Sequence, residues 1–137
     1  MIAVDSSVVV AAFASWHELH RQALLVLDRG PQLPVQAALE TYSVLTRLPA
    51  PHRAAPGLVR DFIERNFGRA VIGLPAERVP ALLNELVRLG ISGGATYDAV
   101  IGATARDGGR TLVTFDERAR QTYDRLGVRI EYVAPAG

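Results

Sequence analysis

Short β-branched runs alternate along this chain with stretches of helical period, and strands separated by helices can pair only in parallel, because a long crossover must return each to the same sheet edge. Residues 2–4, 33–35, 70–74, 111–115 and 128–133 read as strands. Apolar spacing predicts helices over 8–13, 17–29, 36–48, 58–67, 76–89, 96–105 and onward from Glu117. Ser6 or Ser7 is placed to cap the first, and Gly30-Pro31 and Gly90 are stop signals. The expectation is an α/β fold, a mainly parallel central sheet with helices on both faces. At 137 residues the chain suits one domain over 1–137, and the three-proline stretch 49–56 is too short for a domain linker.

Sheets of this kind bind ligands beyond the carboxyl ends of their strands. Asp5 directly follows the first predicted strand and Asp116 the strand holding Leu112 and Val113, so both emerge at that edge. Glu40 and Asp98 fall near the starts of helices whose N-termini can approach it. All four are flanked by apolar residues, and a buried lone carboxylate is costly unless it is paired or bound to a cation. Four oxygen ligands favour a hard cation, Mg2+ or Mn2+, over zinc. Taken singly, each acid has a plainer reading: Asp5 and Asp116 as helix caps, Asp98 as a first-turn acid behind Thr96, Glu40 as a solvated residue. One site accounts for all four more economically than four coincidences.

With no cysteine, the chain has no disulfide, thiolate ligand or cysteine nucleophile, which fits a cytoplasmic protein. No basic segment opens it and no apolar run approaches a membrane span. Net charge is only +1, yet all 15 basic residues are arginine. Coding bias explains the missing lysine at least as well as phosphate recognition does, although arginines 47, 53, 60, 65, 69, 106, 110, 118 and 120 offer a local rim. His17 and His20 fall at i, i+3 on one predicted helix and His52 in the proline loop. Solvated or packing roles outweigh a metal-free acid–base pair. Trp16 and Phe13 are read first as core, second as faces for RNA bases or a partner's side chain.

The segments Val4-Asp5-Ser6-Ser7, the helix with Glu40 after the second strand, Thr96-Tyr97-Asp98-Ala99-Val100-Ile101-Gly102-Ala103-Thr104-Ala105, and Leu112-Val113-Thr114-Phe115-Asp116-Glu117-Arg118-Ala119 together resemble the PIN-domain ribonucleases, and within them the VapC-type toxins of bacterial toxin–antitoxin modules. The resemblance spans nearly the whole chain. It implies a PIN-like domain in which Asp5, Glu40, Asp98 and Asp116 hold Mg2+ or Mn2+ for RNA cleavage, with Ser7 and Thr114 as supporting hydroxyls. One departure from the family pattern is that Glu117, rather than an aspartate, offers the nearest further acid after Asp116.

The same resemblance implies an endoribonuclease acting on structured RNA, tRNA or rRNA, neutralised by a cognate VapB-type antitoxin, and commonly a homodimer. A receiver domain is a poor fit, since the chain has no lysine, and so is a haloacid-dehalogenase-type phosphatase, since Ser7 stands where a second aspartate is needed. Two alternatives remain: a PIN-like module that binds RNA or protein without cutting, and a housekeeping RNA-processing nuclease.

Overall fold

The computed structural model describes residues 1–136. Strands β1 (Ile2–Val4), β4 (Thr111–Thr114) and β5 (Ile130–Tyr132) pair in parallel in the order β1-β4-β5. Val4 lies beside Val113, and Thr114 beside Tyr132. Two shorter strands, β2 (Leu33–Pro34) and β3 (Val71–Ile72), form a second parallel ladder. Gln32 joins the ladders through a parallel bridge to Ala3: it donates to the Ile2 carbonyl and accepts from the Val4 N–H, both at 3.0 Å. The sheet therefore runs β3-β2-β1-β4-β5, parallel throughout, as the alternation of strands and helices requires.

Among the described residues, seven α-helices surround it: α1 (Ser6–Phe13), α2 (His20–Leu27), α3 (Val35–Thr46), α4 (Pro56–Phe67), α5 (Val79–Leu89), α6 (Ala95–Asp107) and α7 (Glu117–Arg125). α1 packs on β1 and β4, α3 on β2 and β3, and α6 and α7 on each other and on β4. Pro56 opens α4, where its missing N–H has no helical partner to lose. Gly90 closes α5 at φ 67°, a left-handed conformation that costs glycine little. Val4, Val8, Val9, Leu33, Ile101, Leu112 and Val113 are fully buried, each side chain contributing roughly 1.5–3 kcal/mol of transfer free energy.

Several boundaries differ from the sequence pattern for local reasons. Asp5, not Ser6 or Ser7, caps α1: its carboxylate takes the Ser7 N–H, which draws both serines into the first turn. The helix expected over 17–29 begins only at His20, because the His17 ring accepts the Leu19 N–H and holds residues 17–19 in a turn. His17 and His20 therefore do not share a helix. The strand expected over 70–74 shrinks to Val71–Ile72, since Gly68–Ala70 forms a 3-10 turn after α4. Val128, expected in the last strand, is instead a buried residue ahead of β5.

Candidate active site

At the carboxyl end of β1, Asp5 is 2% exposed, and each of its oxygens has two donors. Oδ1 accepts from the Ser7 N–H at 3.0 Å and from the Ser7 hydroxyl. Oδ2 accepts from the Thr114 hydroxyl at 2.6 Å and the Tyr123 hydroxyl at 2.9 Å. Two of those hydroxyls are themselves fixed by backbone: Ser7 Oγ accepts the Phe115 N–H at 2.9 Å, and Thr114 Oγ1 accepts the Asp116 N–H at 3.1 Å. The end of β4 and the start of α1 are thus laced together through Asp5. Burial pushes its carboxyl upward in pKa, the hydrogen bonds from Ser7, Thr114 and Tyr123 pull it down, and Asp116 adds a further upward push; burial prevails.

The other three acids step outward from this point. Asp98, in the first turn of α6, and Glu40, in the middle of α3, are partly buried, whereas Asp116 is exposed. Asp116 caps α7, its Oδ1 taking the N–H groups of Arg118 at 2.9 Å and Ala119 at 3.2 Å. Glu40 Oε1 accepts the Ser6 hydroxyl. Asp98 registers all of them: burial first, then the charges of Glu40, Asp116 and Asp5, lift its carboxyl to about 6, opposed by Arg118. Four acids from four elements therefore share one electrostatic neighbourhood.

The donor set is all oxygen, and its mutual repulsion is what a hard divalent cation relieves; in that chemical sense the residues fit Mg2+ or Mn2+. Among the described residues no three acids are arranged to grip one ion. Each of Asp5, Glu40 and Asp116 is instead turned onto a hydroxyl or amide of the chain. The cap readings of Asp5 and Asp116 are geometrically correct, and they leave a second role open, since Asp116 uses one oxygen for its cap.

A cleft of about 550 Å³ opens over this edge, its walls including Ser6, Ser7, Glu40, Asp116, His17 and Tyr132. Glu117 also lines it. The arginines do not form one rim: Arg106 pairs with Glu85 at 2.8 Å and bonds the Leu126 carbonyl, Arg60 pairs with Asp61, and Arg120 lies over the Tyr132 ring. Arg118 is the cation that acts on Asp98. His20 donates Nδ1–H to the Ala11 carbonyl at 2.8 Å, a structural bond. Phe13 packs edge-on against Phe62, while Trp16 is half exposed.

Sequence reasoning missed Ser6 and Tyr123. Ser6 adjoins the Asp5 motif and was visible only as a cap. Tyr123 reads in sequence as one more apolar position of α7, and nothing local marks its hydroxyl.

The PIN domain family model matches residues 2–125. Ribonuclease VapC40 of Mycobacterium tuberculosis is 48% identical over 133 residues, 97% of this chain and 99% of the relative. Ribonuclease VapC27 of the same species is 34% identical over 134 residues, 97% of each chain. Among solved structures, a chain of FitAB bound to an IR36 DNA fragment superposes with a TM-score of 0.70 at 15% identity, covering 96% of this chain and 94% of that one; it speaks for the fold.

Proposed function

This chain belongs to the PIN-domain family and stands among its VapC ribonucleases, and from that premise we propose that residues 1–137 form one nuclease unit, a VapC-type toxin that cuts RNA internally with Mg2+ or Mn2+. The observation that carries the reading is the electrostatic convergence on Asp98, whose carboxyl is lifted to about 6 by burial and by Glu40, Asp116 and Asp5. Sites that perform acid–base chemistry concentrate such shifts.

Asp5, Glu40, Asp98 and Asp116 would hold the cation, with Ser7 and Thr114 orienting Asp5. When bound, the ion supplies positive charge at the scissile phosphate and acidifies water. Asp98 is suited to orient the attacking water and take its proton. No side-chain nucleophile is required.

The substrate is a structured RNA of the translation machinery, tRNA or an rRNA loop. A VapB-type antitoxin neutralises the enzyme, an arginine of that partner satisfying the carboxylates in place of the cation. The protein works in the cytoplasm as a homodimer, for which the exposed Leu83 and Val87 on α5 offer an apolar stripe. No helix among the described residues is long and apolar enough to cross a membrane.

Mapping the 5′ ends of RNA after brief induction tests this. Wild type should arrest growth and give few, discrete ends, and Asp98→Asn neither. Cleavage that persists in EDTA would overturn the metal requirement. Diffuse cleavage without arrest would favour a housekeeping nuclease, and arrest by the acid variants would favour binding without cutting.

A further inference from the structure

Trp16 is the chain's single tryptophan, and it is not in the core: it lies in the turn between α1 and α2 with half its surface (50%) exposed. An exposed indole on a turn would ordinarily be loose. Here it rests against the His52 ring, centroids 4.2 Å apart and planes 36° from parallel. His52 is itself carried on a pinned loop. Its N–H donates to the Pro49 carbonyl, the Ala54 N–H to the Leu45 carbonyl, and Arg53 Nε to the Leu48 carbonyl, all within 3.0 Å. The platform is therefore built before any ligand arrives, which lowers the ordering cost of binding.

On the side toward the acids stands His17, its ring centroid 6.1 Å from that of Trp16. Its Nδ1 accepts the Leu19 N–H at 3.0 Å, so the ring is fixed and, when neutral, carries its proton on Nε2. His17 lines the same cleft as Ser6, Ser7, Glu40 and Asp116. The aromatic strip His52–Trp16–His17 thus runs to the cleft lined by two of the candidate catalytic acids, Glu40 and Asp116.

We propose that this strip is the subsite for an unpaired RNA base next to the scissile phosphate, which stacks on Trp16. The proposal rests on the ribonuclease reading above and adds to it where the substrate is gripped. Charge alone cannot do that work. The cleft is acidic, the net charge is only +1, and Arg60 and Arg106 are committed to acids elsewhere. Stacking of a base on an indole needs no cation and works with every base, and splayed bases are the usual handle on structured RNA. A protein segment could also cover an indole, but a platform leading into the catalytic cleft serves the strand whose phosphate must enter it.

Because Trp16 is the only indole, its fluorescence reports on this surface alone. The full chain in EDTA is titrated with a short single-stranded oligoribonucleotide and with an abasic ribose-phosphate strand of equal length. Quenching by the first and not the second is expected. In steady-state cleavage with Mn2+, Trp16→Ala should raise KM about ten-fold with kcat nearly unchanged, Trp16→Phe should recover most of the loss, and His52→Ala should fall between. Equal response to both strands, or an unchanged KM in Trp16→Ala, would overturn the proposal even if the protein proves a ribonuclease. Unchanged KM with weakened neutralisation by the antitoxin would reassign the platform to the protein partner and also overturn it. Base-dependent quenching in a protein that cuts no RNA would uphold the platform while the nuclease reading failed.

Discussion

Tyr123 and Asp5, 118 residues apart in the chain, meet in the core, where the tyrosine hydroxyl donates to Asp5 Oδ2 at 2.9 Å. The ring is fully buried on α7 and the carboxylate sits at the end of β1, so one hydrogen bond ties the last helix to the first strand at the candidate site. Of the three hydroxyls on Asp5, Ser7 and Thr114 each also accept a backbone N–H. The Tyr123 hydroxyl makes its bond to Asp5 from the core side and completes the fixing of the carboxylate plane.

Tyr123→Phe keeps the ring and removes that donor. A hydrogen bond to a charged group contributes about 1.5–3 kcal/mol, so the melting temperature should fall measurably while the fold stays cooperative. Loosening the carboxylate should lower kcat by about ten-fold with KM for RNA unchanged. Full activity in a destabilised Tyr123→Phe protein would reduce the bond to a structural one.

Gly102 makes the slot that Tyr123 occupies. A Cβ at this point of α6 would stand 2.9 Å from Tyr123 Cδ1 and 3.1 Å from Val128 Cγ2, closer than packed carbons tolerate. Gly102→Ala should cost about 1–3 kcal/mol through overpacking, despite alanine's better helix propensity. Moving the ring also moves the hydroxyl, so kcat should fall too, and the loss in the Gly102→Ala, Tyr123→Phe double variant should be clearly less than the sum of the two single losses. Additive losses would mean that the glycine acts elsewhere.

Asp5→Asn separates chemistry from capping. Asparagine caps a helix about as well as aspartate, and the Thr114 and Tyr123 hydroxyls can turn to accept from its amide. Thermal stability should hold or rise, since a buried charge near Asp116 and Asp98 is gone. RNA cleavage should drop by orders of magnitude. A protein that keeps full activity with its stability unchanged would assign Asp5 to the cap alone.

The parallel sheet was legible because its evidence is periodic and local: residues 2–4 and 111–114 are short apolar runs, and the stretches between them carry helical spacing. The shared edge of Asp5 and Asp116 followed from where strands end. What the sequence hid are contacts made by shape. Nothing in the string Gln-Thr-Tyr-Asp says that the Tyr123 hydroxyl reaches Asp5, because that depends on the absent Cβ of Gly102 on another helix. The start of α2 was misplaced for a similar reason. Hydrophobic period extends back to His17, but a single ring-to-amide hydrogen bond at Leu19 holds those residues in a turn. Pairing in the arginines was likewise invisible, since Arg106 finds Glu85 only through the packing of α6 on α5.

Asp98 gives the site a pH signature. Its carboxyl titrates near the ordinary 3.8 when unfolded and about 6 when folded, so the folded state holds that proton more tightly. The stabilisation is complete below the unfolded value and is lost as pH rises through about 6. Buried Asp5 shifts the same way and adds to the slope, whereas exposed Glu131, held down by Arg29, opposes it. The difference between wild type and Asp98→Asn isolates the one residue. Measured in EDTA, wild type should lose stability relative to Asp98→Asn between about pH 4 and about pH 7, by roughly 1–2 kcal/mol once screening of a partly exposed group is allowed for. Mn2+ at neutral pH should raise the melting temperature of wild type, by preferential binding to the folded state, and do so much less for Asp98→Asn. Melting curves that stay parallel across the pH range would show that the four carboxylates do not share a field, and the reading of a single acidic site would fall with them.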